Sequence, residues 1–316
     1  MDRFQEWLTF VRVVEAGSFS QAGQRLNIAK SAVSRRINDL EQRLGAQLLN
    51  RSTRRISLTE TGRDFYERCR RILDDMQEAE TLASTDYRDL QGTLRIAASV
   101  SFGFRHLAPA MVDFLHENPG ITIDLDVNDR QVNLIEEGFD MAIRIANLDD
   151  STLRARALAP IRMVAVASPA YLEAHGRPMR PEDLSGHKGL RYSVVPERQT
   201  WGYRDPSGAT KTLRLSTRLH ASNGDVLLAA AIGGLGVLVI PCFVAHEAIE
   251  DGSLEVLLPD VEWNGLTAYA VYPAGRHLSP RVRAFIDFLT ERFGEDPYWD
   301  RFWSTLPNAV PAPQSA

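Results

Sequence analysis

The stretch Ser20 to Gly45, SQAGQRLNIAKSAVSRRINDLEQRLG, reads as two helices joined by a tight turn, and few folds accommodate that pair with a basic, polar face left over. The second helix, about Lys30 to Leu44, places Val33, Ile37, Leu40 and Leu44 at spacings of four, three and four, which is one face of an α-helix. That face is expected to enter a core. Lys30, Ser31, Ser34, Arg35 and Asn38 turn away from it, with side chains suited to base edges and phosphates in a major groove. Gly45 stops the helix, since glycine takes the left-handed conformation at little cost. Taken alone, the helix reads equally as an ordinary amphipathic helix with a solvated basic face, so its surroundings must decide.

Charge placement is the first of these. The chain of 316 residues carries a net charge of −5, which by itself argues weakly against nucleic acid. Yet Arg25 to Arg55 holds eight basic residues against two acidic ones, a local +6, and leaves −11 on the rest. A basic end on an acidic body points to a polyanion held at one end only. The length calls for two or three domains, and 44% hydrophobic with 24% charged residues is ordinary for a soluble globular protein.

Ahead of the pair, Phe4, Trp7, Leu8, Val11 and Val14 predict a first helix from about Arg3 to Ala16, ended by Gly17. Ser20 suits an N-cap for the second helix, with Gln21 beside it, and Gly23 suits close approach of another helix. After the pair comes LLNRSTRRISLTETG, read as a short hairpin or wing, with Arg51, Arg54 and Arg55 placed to meet phosphates or a minor groove. Then Phe65, Cys69, Ile72, Met76, Ala79 and Ala83 recur with a period of 3.5. They predict one long helix whose seam pairs with a second copy, or else packs on its own domain. Ser84 to Gly92 loses the pattern and reads as a hinge.

These motifs together resemble a LysR-type transcriptional regulator: SFSQAGQRL, SAVSRRINDLEQRLG, RSTRRISLTETG, the long helix and then GTLRIAAS. The resemblance covers about Met1 to Gly294. It implies an α+β multidomain chain: a winged helix-turn-helix over 1–59, a linker and dimerisation helix with hinge over 60–91, and a two-lobed α/β effector domain over 92–294. That domain would resemble periplasmic solute-binding proteins, with lobe I about 92–162 plus 266–294 and lobe II about 163–265. The family commonly has Ser-Gln where this chain has Ala29 and Lys30, and alanine where it has Gly23. The first change removes a capping hydroxyl and exchanges an adenine-reading amide for a cation suited to guanine or phosphate.

The second half also reads from its own pattern. Short apolar or alternating runs at Thr93 to Ser99, Ile121 to Val127, Phe139 to Ala146 and Met163 to Ala167 predict strands, with helices around Ala108 to Glu117 and Arg130 to Glu137. A second set follows: strands near Gly189 to Val194, Leu213 to Leu219 and Val237 to Ile240, and a helix from Asn223 to about Ile232. Leu266 to Tyr272 predicts a strand and Pro280 to Phe293 a helix. Alternation of this kind argues for mainly parallel sheets. The tail over 295–316 begins aromatic, with YWDRFW, and ends as a segment expected to be partly disordered.

Ligands of such sheets sit beyond the carboxyl ends of strands, near helix N-termini. That rule selects Ser99, Val100, Ser101, Phe102 and Asn128, and Arg144 in the apolar run FDMAIRIA, where an unpaired charge needs either an internal carboxylate or a cleft. Ser222, Asn223 and Gly224 open a helix, as caps or as donors to a carboxylate; Trp201 and Tyr203 either cover an aromatic ligand or pack.

Enzyme signals are weak. GGLG at 233–236 follows a helix, Ser185 and Lys188 have SxxK spacing without its companion motifs, and the seven histidines form no metal motif. No catalytic residue, metal or cofactor is expected. Cys69 and Cys242 form no disulfide framework, and with no signal peptide or membrane span the expected place is the cytoplasm. The expected partners are a double-stranded DNA operator, a small organic anion as effector, and a second copy as homodimer or homotetramer, with RNA polymerase also admitted and no membrane. A ligand-independent DNA binder whose second half only assembles it is the alternative.

Overall fold

The computed structural model describes residues 2–51, 56–83, 90–147, 153–193, 201–205, 207–274 and 278–306, with only the backbone at 51, 74, 75, 77–83 and 153. The chain divides into two units, Met1–Asp89 and Leu90–Ala316.

In the first unit Asp2 accepts the Phe4 N–H and starts α1 (Arg3–Ala16), which ends at Gly17. Ser18 caps α2 (Phe19–Leu26) by accepting from Gln21 N. Ser20, expected as that cap, instead lies exposed in the first turn, because the extended backbone needed for capping occurs two residues earlier. Gly23 does permit a close approach, of the turn rather than of a helix: a Cβ there would stand 2.7 Å from the Ile28 carbonyl oxygen. The second helix of the pair, α3 (Lys30–Leu44), buries Val33, Ile37 and Leu40 completely against Phe10, Val13 and Ala22. Leu44, predicted on the same face, is 39% exposed in the last turn, which closes with the Gly45 and Ala46 N–H groups donating to the Gln42 and Glu41 carbonyls and Gly45 at φ 64°.

Strands β1 (Leu49–Arg51) and β2 (Ile56–Leu58) form an antiparallel wing, Leu49 opposite Leu58. Glu41 of α3 accepts both the Leu48 and Leu49 N–H groups, so α3 fixes where the wing begins. Thr59 Oγ1 then accepts from Gly62 N at the start of α4 (Glu60–Ala83).

The second unit contains two five-stranded sheets. The first has the order β4–β3–β5–β15–β6, from β3 (Gly92–Ala98), β4 (Ile121–Val127), β5 (Met141–Ala146), β6 (Leu153–Ile161) and β15 (Leu266–Pro273). The second has the order β11–β8–β12–β7–β13, from β7 (Met163–Ala167), β8 (Lys188–Tyr192), β11 (Ser216–Ala221), β12 (Val237–Pro241) and β13 (Glu255–Leu257). A small antiparallel sheet of β9 (Gly202–Arg204), β10 (Thr210–Thr212) and β14 (Glu262–Trp263) lies beside them in sequence.

Both large sheets are mixed rather than mainly parallel. β3 pairs in parallel with β4 and β5, and β8 with β11 and β12, whereas β15 runs antiparallel to β5 and β6, and β7 to β12 and β13. The chain passes from β6 to β7, strands of different sheets, through Arg162 alone, and enters β15 directly from the small sheet. Those are the two crossings between the lobes.

Among the described residues of this unit the helices are α5 (Val100–Phe102), a π turn (Gly103–Leu107) continuing into α6 (Ala108–Glu117), α7 (Leu134–Glu137), α8 (Pro169–His175), a 3₁₀ turn (Pro181–Gly186), α9 (Gly224–Ile232), α10 (Cys242–Glu250) and α11 (Pro280–Phe293). The helix predicted over Arg130 to Glu137 shrinks to α7, because Asn128 and Asn133 side chains accept backbone N–H groups and hold local turns. The strand predicted at Leu213 shifts to Ser216. In the tail, Tyr298–Thr305 forms a 3₁₀ helix whose Trp299 is fully buried and whose Phe302 and Trp303 are each 7% exposed, while the end expected to be disordered lies outside the described residues. Among the described residues no helix is long and apolar enough to cross a membrane.

Candidate nucleic-acid interface and inter-lobe cleft

Packing decides which basic side chains of the N-terminal unit remain available. Arg43 is held by the buried Glu6 (Nη2 to Oε2, 2.6 Å), and Arg36 donates to Gln5 Oε1 and Thr9 Oγ1. Both anchor α3 to α1. Lys30, Ser31, Arg35 and Asn38 are exposed and Ser34 half-buried, with Ser20 and Gln21 of α2 also exposed. Ala29 gives α3 no side-chain cap; its carbonyl accepts the Ala32 and Val33 N–H groups of the first turn. Arg51 contributes only its backbone to the description, and Arg54 and Arg55 lie outside the described residues.

The long helix splits its predicted seam in two. Phe65 packs on α1, its ring 5.6 Å from Phe10 and 6.4 Å from Trp7, and Cys69 is 1% exposed. Burial pushes the Cys69 thiol up to about 12, which keeps it protonated and inert. Both positions are spent inside the unit, because the start of α4 lies on α1. Among the described side chains of the seam, Ile72 and Met76, at 44% and 39% exposure, are left uncovered. The side chains of Ala79 and Ala83 lie outside the described residues.

At the junction of the two lobes the structure brings together the ends of β3, β4, β8 and the start of α9. Ser101 Oγ donates to Asp225 Oδ2 at 2.6 Å. Asp225 is also paired with Arg105, which reaches Glu247 as well. Asp129 Oδ1 accepts the Val100 N–H at 3.0 Å, and its Oδ2 accepts from Asn223 Nδ2 at 3.3 Å. Asn223 Oδ1 caps α9 through Asp225 N and Val226 N. Burial and then the nearby Asp129 charge push the Tyr192 phenol up to about 12.

The predicted cleft residues therefore separate. Ser99, Val100, Asn128, Asn223 and Gly224 are half-buried around this junction, Ser101 is buried in it, and Ser222 is exposed. Phe102 is not a lining residue: it is fully buried with its ring against Phe243, Phe293 and Trp299. Trp201, 2% exposed, packs with Tyr203, Leu215 and Trp263, so of its two readings packing is the one observed. Arg144 Nη2 donates to the Val132 carbonyl at 2.9 Å. No carboxylate stands within ion-pair distance among the described residues, and burial lowers its pKa.

The residues that sequence reasoning missed are acids and their partner: Asp129, Asp225 and Arg105. A search for donors to an anion passed over carboxylates, although Asp129 directly follows the selected Asn128 and Asp225 opens the selected helix.

Elsewhere, Ser185 Oγ donates to Glu182 O while Lys188 Nζ donates to Ser216 Oγ, so the SxxK pair does not converge. Gly233 ends α9, in keeping with a helix stop. Among the described residues no His, Cys, Asp and Glu cluster could hold a metal ion.

Comparison with known proteins matches both units. The description "Bacterial regulatory helix-turn-helix protein, lysR family" fits residues 4–63, and "LysR substrate binding domain" fits residues 88–294. The HTH-type transcriptional regulator CrgA of Neisseria meningitidis is 38% identical over 293 residues, covering 92% of this chain and 97% of CrgA. The solved CrgA structure gives a TM-score of 0.59 at 37% identity, over 92% of this chain and 99% of that one. The full-length Vibrio cholerae virulence activator AphB gives 0.57 at 30% identity, over 92% and 99%.

Proposed function

The chain belongs to the LysR family of transcriptional regulators, and from that premise we propose that it is an operator-specific homo-oligomer whose DNA occupancy is set by a small organic anion held between its two lobes. Its relatives are regulators, not enzymes. The observation that carries the DNA reading is the face of α3 left exposed after Arg36 and Arg43 are taken up internally: Lys30, Ser31, Arg35 and Asn38, beside Ser20 and Gln21. Exposed Ile72 and Met76 support assembly through α4, because a reader of this size gains a second half-site by pairing.

For the effector, the junction offers the Val100 N–H and the Asn223 amide converging on a carboxylate, which is at present that of Asp129. Donors that hold one carboxylate suit another. An anionic effector would compete with Asp129, shift the lobes and change the spacing of paired recognition helices, and so promoter occupancy or bending. Contact with RNA polymerase belongs to the same reading and is tested by transcription from the same fragment.

Thermal-shift screening with small carboxylic acids finds the ligand, since one present at about 100 times its dissociation constant adds roughly 2.7 kcal/mol. Footprinting and DNA-bend measurements with and without that ligand then test the coupling. Identical footprints and bends with a ligand shown to bind would leave the ligand-independent DNA binder as the reading.

A further inference from the structure

The segment Tyr298–Thr305 lies beyond residue 294, where the family match ends, yet it is buried where both lobes meet. Trp299 touches lobe I through Phe102 at 5.9 Å and Phe293 at 5.4 Å between ring centroids, and lobe II through Phe243 at 6.3 Å. Its ring is 4.7 Å from that of His106, in the π turn of lobe I. Tyr298 is tied to the same imidazole: its hydroxyl is 2.6 Å from His106 Nδ1, while His106 Nε2 is 2.9 Å from the Phe243 carbonyl of lobe II.

The next residues reach the crossing itself. Arg162, the single residue between β6 and β7, stands with Nε 3.5 Å from Asp300 Oδ2 and its guanidinium 4.4 Å over the Trp303 ring. Its carbonyl accepts the N–H of Cys242, the first residue of α10. One short stretch thus grips lobe I, lobe II and the strand connection that joins them.

We propose that Tyr298–Thr305 is an intramolecular strap: an aromatic peptide docked in a groove built by both lobes, which restrains their motion about the Arg162 crossing. Motion of one lobe against the other must separate Phe102 and Phe293 from Phe243 or slide both over Trp299. Close-packed interiors resist such sliding. The strap restrains the lobes whether or not an effector enters the cleft, so its test is independent of the effector reading.

Hydrogen exchange on the full-length protein distinguishes a strap from a passive tail. In Trp299→Ala, amides of residues 100–107 in lobe I and 242–250 in lobe II are expected to exchange together, roughly tenfold or more faster. Residues 3–44 and the strands β3 and β4 keep wild-type rates, and Trp299→Phe lies nearer wild type than Trp299→Ala. Faster exchange confined to 298–305, in one lobe only, or raised uniformly along the chain overturns the proposal. Should Trp299→Ala fail to fold, Trp303→Ala carries the same test through Arg162: its joint acceleration at 156–166 and 242–250 supports the strap, and wild-type rates there overturn it.

Discussion

Asn223 of lobe II donates its side-chain amide to the Asp129 carboxylate of lobe I, Nδ2 and Oδ2 standing 3.3 Å apart. The other carboxylate oxygen accepts the Val100 N–H. One acid side chain therefore occupies donors from both lobes at once.

If those donors suit any carboxylate, Asp129→Ala leaves a space of carboxylate size. The variant loses about 1–3 kcal/mol of stability from its unpaired donors. Acetate or formate then raises the melting temperature of Asp129→Ala in a saturable way and leaves wild type unmoved. Equal responses in the two proteins would remove Asp129 from the anion position.

On the DNA face, Arg35→Ala weakens specific binding by roughly 1–3 kcal/mol through loss of a base contact and leaves folding stability unchanged. Arg43→Ala does the reverse, because its guanidinium is paired with Glu6, whose carboxylate is 5% exposed. Urea unfolding together with operator binding separates the two. Arg54→Ala is expected to weaken all sequences alike and reduce the salt slope by about one unit; titrations at several salt concentrations check it.

Assembly divides along α4. Ile72→Glu and Met76→Glu place charges where apolar side chains are uncovered, and sedimentation is expected to show smaller species at unchanged secondary structure. Phe65→Ala instead removes a partly buried ring from Phe10 and Trp7 and costs about 1–3 kcal/mol of stability. A Phe65→Ala protein as stable as wild type but smaller in solution would return Phe65 to the seam.

Asp300 gives a pH signature. Burial pushes its pKa up from 3.8 to about 6, against the opposing pull of Arg162 and Cys242. Its folded pKa lies above the unfolded one, so its contribution is complete below about 4 and is lost as pH rises through about 6. That loss amounts to at most about 3 kcal/mol. His106, pushed down to about 4 chiefly by burial, acts in the opposite sense, losing stability as pH falls from 6.5 through 4. Asp300→Asn isolates the first effect: its stability relative to wild type, measured by urea unfolding, is expected to improve from pH 4.5 to pH 7.5. A pH-independent difference contradicts it.

The helix-turn-helix was legible because its signals are local. The spacing of Val33, Ile37 and Leu40 and the stop at Gly45 depend on neighbours within a turn or two, and α1, α3 and α11 fall where periodicity placed them. The cleft was only partly legible. Ser101 and Asn223 could be found from strand ends and caps, but their acidic partners lie 124 and 94 residues away in sequence. Arg144 shows the same limit: an odd charge in an apolar strand marks a constraint, and its solution, a backbone carbonyl, is visible only once the chain has folded.

By itself, then, the sequence determined a winged helix-turn-helix, a long helix and an alternating α/β body, because period, caps and charge blocks are properties of contiguous residues. Tertiary structure alone decided how their side chains are used. Folding of the first unit withdrew Phe65 and Cys69 from the predicted seam and tied Arg36 and Arg43, two residues of the basic block, to α1. Crossing twice between sheets reversed β7 and β15 and brought Asp129 to Asn223. Burial between the lobes turned an aromatic tail into core, since Trp299 finds there the apolar partners that no neighbour in sequence supplies.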